Sequence, residues 1–152
     1  MGRRAFLSRM AKVAMLPLLA PQLEAQTPKP DRNLKIMMKS SWGSDDPTKA
    51  GFVFSHALAL AEAGNEVQIF LLGEAVVLMR KVVAEAVIPV GWPPVAQTLE
   101  KLVERHVPIY ACGACSRARG VTEGDLSTYG AKFGNPTIFV SLVRWADHVI
   151  TE

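Results

Sequence analysis

Apolar and polar positions alternate between two rhythms along residues 34–152. Short apolar runs at Leu34–Ser40, Glu66–Leu72, Val107–Ala111 and Asp147–Thr151 read as strands. Between them lie stretches with helical spacing. Ala50–Ala63 places Phe54, Leu58 and Ala61 on one face, opened by Asp46-Pro47 as cap and first turn and stopped by Gly64-Asn65. Glu74 to about Glu85, the amphipathic Val95–His106, a short helix within Val121–Gly130, and Pro136–Ala146 follow. Ile88–Pro94 reads as a rigid loop. Alternation of this kind predicts a parallel sheet covered on both faces, with right-handed crossovers. Ligands bind such sheets beyond the carboxyl ends of the strands. Three loops, 41–47, 73–75 and 112–116, are therefore expected to meet there, with Trp42 and Trp92 in or beside the region.

Residues 1–25 follow a different pattern. Arg3-Arg4 precede Phe6-Leu7 and a mildly apolar run, Ala11–Ala20, that ends near Ala25. A basic start, an apolar middle and a small residue at the cleavage point describe an export signal. Paired arginines before Phe-Leu resemble the twin-arginine type, which predicts a periplasmic bacterial protein. The apolar run is about half the roughly 20 residues that a membrane-spanning helix requires, so the membrane is a partner only if the segment stays uncleaved. Residues 26–33 are polar and proline-rich and read as a linker, so the folded domain is expected over 34–152.

Composition and charge sharpen this division. The chain has 152 residues, 49 % hydrophobic and 20 % charged, enough for one domain with a real core. Its net charge of +3 is carried by residues 1–25, where Arg3, Arg4, Arg9 and Lys12 face Glu24 alone. Residues 26–152 hold 13 basic and 13 acidic side chains, which removes the charge argument for a nucleic-acid partner.

The candidate chemistry is Cys112-Gly-Ala-Cys115, directly after the strand Val107–Ala111. Both cysteines are expected at a strand's carboxyl end. Backbone N–H groups of a following turn or helix favour thiolate there, and Arg117 and Arg119 act in the same sense. The thiolate is the nucleophile in sulfur transfer and in thiol–disulfide exchange. Cys112, ending the strand, is preferred as acceptor, with Cys115 placed to resolve. Other readings of the pair are small core residues, a structural disulfide, or a metal site. His106, Cys112 and Cys115 supply at most three ligands where a closed zinc site needs four, so no metal is expected. The loop after the first strand has one glycine, and Asp45 and Asp46 would repel an anion, which argues against a flavin or nucleotide cofactor. Ser41, Trp42 and Asp45 are expected to line the crevice or cap the helix, and His56 and His148 to be structural.

The stretch Tyr110-Ala-Cys-Gly-Ala-Cys-Ser-Arg-Ala-Arg-Gly120 resembles a CxxC-containing branch of the DsrE/DsrF-like sulfur-relay family. Ser41-Trp-Gly-Ser-Asp-Asp-Pro-Thr-Lys-Ala50, Ala61-Glu-Ala-Gly-Asn-Glu-Val-Gln-Ile-Phe70 and Trp145-Ala-Asp-His-Val-Ile-Thr151 agree with it. The resemblance implies a three-layer α/β sandwich with a small, mostly parallel sheet, of YchN-like and flavodoxin-like architecture. It implies homotrimers or homohexamers, and a sulfur donor or acceptor that is a protein or a small thiol. Better-known members are cytoplasmic and carry a cysteine on a loop for which residues 73–100 of this chain supply none. The resulting expectation is a persulfide carrier or transferase using Cys112 and Cys115, with Trp42, Asp45, Arg117 and Arg119 around it. A thiol–disulfide oxidoreductase and a non-enzymatic ligand-binding oligomer stand as alternatives.

Overall fold

The computed structural model describes residues 33–152. The proposed export signal, and the linker apart from Asn33, lie outside the described residues. Five strands form one sheet, β1 (Lys35–Ser40), β2 (Glu66–Leu71), β3 (Ile109–Cys112), β4 (Lys132–Gly134) and β5 (His148–Thr151), in the order β4-β3-β2-β1-β5. Every neighbouring pair is parallel. The helices are α1 (Pro47–Glu62), α2 (Lys81–Ala86), α3 (Val95–Glu104), α4 (Gly113–Ala118), α5 (Glu123–Ser127) and α6 (Pro136–Trp145), with a 3-10 segment at Gly73–Met79.

Strand order explains how the layers are filled. From β1 to β4 the chain steps one way across the sheet, so right-handed crossovers place the intervening helices on one face. The step from β4 to β5 runs back across the whole sheet and puts α6 on the other. The core divides accordingly. Ile36, Met38, Ile69 and Leu71 pack with Val53, Phe54, Leu99 and Leu102 under α1 and α3. Met37 and Phe70 meet Leu142 of α6 on the opposite face. Met37 and Met38, adjacent in β1, are both fully buried because both faces are covered. The result is a three-layer α/β sandwich.

Local boundaries follow capping chemistry. Asp46 Oδ1 accepts the Lys49 N–H at 3.1 Å to open α1, and Gly64, at φ +88°, closes it. Asn135 Oδ1 accepts the Ile138 N–H at 2.9 Å to open α6, again with proline at the first position.

Two details differ from the sequence reading. The segment expected as a helix over 74–85 is a 3-10 segment and a short α-helix, separated at Arg80, whose backbone is extended. Lys132–Gly134 forms an edge strand that was not anticipated, since three residues carry too little alternation to register.

The loops after β1 and β2 touch without room to spare. A Cβ added at the buried Gly43 would lie 2.7 Å from both Cβ and the carbonyl oxygen of Glu74. Gly43→Ala is therefore expected to lower stability by about 1–3 kcal/mol, since backbone must move. Urea denaturation of the two proteins checks this, and equal midpoints would show that the loops are not held together there.

Candidate functional site

The carboxyl ends of β1, β2 and β3 bring the three expected loops together. Gly73, which opens the 3-10 segment after β2, approaches Ser41, and its N–H donates to Cys115 Sγ at 3.2 Å. Cys112 is the last residue of β3 and Cys115 lies within the first turn of α4. Both are half-buried free thiols.

The environment of Cys112 combines opposing influences. Burial pushes its thiol up and is the largest of them. The Cys115 N–H, the Cys115 thiol, the Ala114 N–H and the charge of Arg117 act the other way and together outweigh it. The Cys112 thiol is thus held below its ordinary range, which enlarges the thiolate fraction at neutral pH. Gly113, between the two cysteines, is buried against the backbone of Gly134 and leaves no side chain over the sulfur.

The two arginines have different surroundings. Arg117 is exposed, and its Nη1 comes within 3.5 Å of where a Cβ on Gly113 would be. Arg119 Nε donates to Glu74 Oε2 at 2.9 Å, and Nη2 to Oε1, forming a bidentate pair across the loops. This hydrogen bonding holds the Glu74 carboxyl below the usual carboxylate range. Arg119 Nη1 also donates to the Cys115 carbonyl at 3.3 Å, while Arg80 Nη2 donates to the Arg119 carbonyl at 2.6 Å. Arg119 therefore fixes α4 to the β2 loop, and part of its charge is spent on Glu74.

An open groove of about 500 Å³ runs from the thiols to the first turns of α6. Cys112, Cys115 and Arg117 line it, with Phe70 and Leu72 from the sheet side and Phe139 from α6. Trp42 and Asp45 are not among its lining residues. Trp42 is exposed with the Lys49 ammonium 3.9 Å from its ring centroid, and Asp45 is exposed in the turn before α1. Trp92 packs edge-on against Phe52 of α1, with centroids 5.7 Å apart. His106 precedes β3 at the end of the strand remote from Cys112. His56 Nδ1 lies 2.7 Å from Glu152 Oε1 and stacks on Phe52.

The sequence placed the 73–75 loop at the site without giving Gly73 or Glu74 a role of its own, and Phe70 and Phe139 were not among its candidates. Only Gly73 left a usable signal, as a glycine closing a strand. Phe70 and Phe139 share the groove with the thiols, and Glu74 joins the site through Arg119, all by tertiary packing.

Comparison with known proteins agrees with this architecture. The DsrE/DsrF-like family matches residues 32–151. An uncharacterized protein of Methanopyrus kandleri is 34 % identical over 94 residues, 62 % of this chain and 74 % of that one. An uncharacterized protein of Methanocaldococcus jannaschii is 32 % identical over 116 residues, 76 % of this chain and 95 % of that one. Among solved structures, the ychN protein from E. coli superposes with a TM-score of 0.64 at 21 % identity, covering 78 % of this chain and 99 % of that one. A protein of unknown function from Methanobacterium thermoautotrophicum gives 0.54 at 16 %, covering 77 % and 96 %. These two share the fold. With the family match spanning nearly all of the described residues, the chain belongs to the DsrE/DsrF-like family.

Proposed function

We propose that the protein is a sulfur carrier in which Cys112 accepts sulfane sulfur as a persulfide. The observation that carries this is the Cys112 thiol itself. It sits at the sheet's carboxyl end, receives two backbone N–H groups, has Arg117 nearby and opens on a groove. Family membership supports the same reading. In the loading step the Cys112 thiolate attacks the outer sulfur of a donor R–S–SH. The donor S–S bond breaks, R–S⁻ leaves, and Cys112–S–SH forms with no net oxidation. An acceptor thiolate reverses the step by attacking the outer sulfur of Cys112–S–SH. Cys115 is the internal alternative nucleophile. Its attack on the inner sulfur forms a Cys112–Cys115 disulfide and expels hydrosulfide, leaving a state that an external dithiol must reduce.

The contact between the two thiols also favours a second reading, thiol–disulfide exchange. There Cys112 attacks a substrate disulfide and Cys115 resolves the mixed disulfide. Intact-mass analysis after exposure to a polysulfide separates the two. At early time points, before Cys115 can resolve a persulfide, a carrier gains the mass of one sulfur atom, whereas an exchanger shows only the disulfide, two hydrogens lighter. Cys112→Ser is expected to abolish the gain and Cys115→Ser to preserve it. A gain that persists when both cysteines are replaced overturns the reading.

Export belongs to the same proposal. The Arg3-Arg4 segment supports a periplasmic carrier whose mature chain begins at Gln26, and the mass of the chain recovered from periplasm tests this. Family membership and the exposed apolar side chains of Val82, Ile88 and Val90 support a homotrimer or homohexamer. Light scattering on the eluting protein should give three or six times the chain mass, and a strict monomer contradicts it.

The lowered Cys112 thiol sets a pH profile. A depressed pKa populates thiolate at lower pH, so alkylation by iodoacetamide should rise through a midpoint below the roughly 8.5 of a free cysteine. Cys115→Ala removes a larger favourable influence than Arg117→Gln and should move the midpoint upward further. A midpoint at or above that of free cysteine would contradict the electrostatic account.

A further inference from the structure

The groove beside the thiols is larger than sulfur chemistry alone needs. At about 500 Å³ it would leave sulfide or a short polysulfide in contact with only one end. A lining of this size, mostly apolar with a few polar groups, is suited to an organic ligand. Its apolar wall is preorganised. Phe70 and Phe139 stand edge-to-face with centroids 5.2 Å apart. Gly134 must lack a side chain for Phe70 to lie there, since a Cβ would come within 2.6 Å of Phe70 Cε2. Val140 adds a side chain from α6 that is 46 % exposed. The polar part is one-signed. Lys39 and Arg117 line the groove, and none of its lining residues carries a carboxylate. Among the described residues, neither cation takes part in an ion pair. Lys39 pairs with Phe70 in the β1–β2 register, so its ammonium stem rises beside the aromatic wall.

We propose that the sulfur donor, or the thiol that takes the sulfur away, is a low-molecular-weight compound with an apolar, aromatic-sized body and a carboxylate. The body lies against Phe70, Phe139 and Val140, the carboxylate meets Lys39 or Arg117, and the sulfur reaches Cys112. This inference rests on Cys112 being the persulfide acceptor. Transfer needs no further reactant. The Cys112 thiolate takes the outer sulfur of R–S–SH, the S–S bond breaks, and the released R–S⁻ leaves the groove.

The test compares four donors on the reduced full chain. They are inorganic tetrasulfide and the persulfides of 2-mercaptoethanol, 2-phenylethanethiol and 2-mercapto-3-phenylpropanoate. Initial rates of persulfide formation at Cys112 are read by intact mass and peptide mapping, each divided by the donor's rate with free cysteine. The phenylpropanoate donor should exceed the mercaptoethanol donor by roughly tenfold, with the uncharged phenyl donor between them. Val140→Glu, at an exposed position, should bring the phenylpropanoate-to-mercaptoethanol ratio towards one. Lys39→Gln should close the gap between the two phenyl donors. Equal normalised rates from all four donors, or ratios unmoved by both substitutions, would overturn the substrate class while leaving the carrier reading intact. Loading from none of the four, tetrasulfide included, would overturn the carrier reading and this inference with it.

Discussion

A parallel sheet must bury both of its faces, and this chain has unequal means of doing so. Steps from β1 to β4 send α1, α2, α3 and α5 to one side, which closes over a continuous core. The single return crossover leaves α6 to cover the other side, where the buried cluster is Met37, Phe70 and Leu142. A ten-residue helix covers too little of five strands to close that face completely. The uncovered remainder, at the carboxyl end beside β3, is the groove that Cys112 faces. The site thus arises from strand order, before any thiol chemistry is considered.

The hydrogen bonding around the thiols rests on that frame. Cys112 can receive the N–H groups of Ala114 and Cys115 because the chain turns directly from β3 into α4. Arg119, in the next turn, grips Glu74 and so holds α4 against the loop after β2. Gly43 lets the loop after β1 close on the same residue. Glu74 is exposed, and its ion pair is worth little as stability. Its value lies in geometry, because it holds the end of α4, the helix that carries Cys115, against the loop whose Gly73 N–H meets Cys115 Sγ.

Much of this was legible in the sequence. The β1, β2, β3 and β5 runs were readable from their apolar content, and the glycine and proline punctuation placed the loops that converge. Cys112 and Cys115 could be put at a strand end for the same reason. Other features depend on folding that periodicity does not encode. Lys132–Gly134 becomes a strand only because β3 offers it a partner. Arg119 read as a free positive charge until Glu74, 45 residues away, was brought against it. The helical spacing of α6 was visible, but the contact between Phe139 and Phe70 required knowing that α6 stands alone on its face. Trp42 and Asp45 were singled out for their loop, and that loop turns them towards solvent and the start of α1, outside the groove lining.

The Gly73 N–H that points at Cys115 has a consequence beyond binding. A sulfur atom accepts a hydrogen bond strongly as thiolate, more weakly as thiol, and differently again once joined to another sulfur. Gly73 shares its peptide chain with Glu74, and Glu74 holds Arg119. Each change in the oxidation or charge of the sulfur is therefore felt by a backbone amide on another loop. That amide makes Gly73 a native spectroscopic reporter, whose proton resonance records the state of the thiol pair without any label on the cysteines themselves.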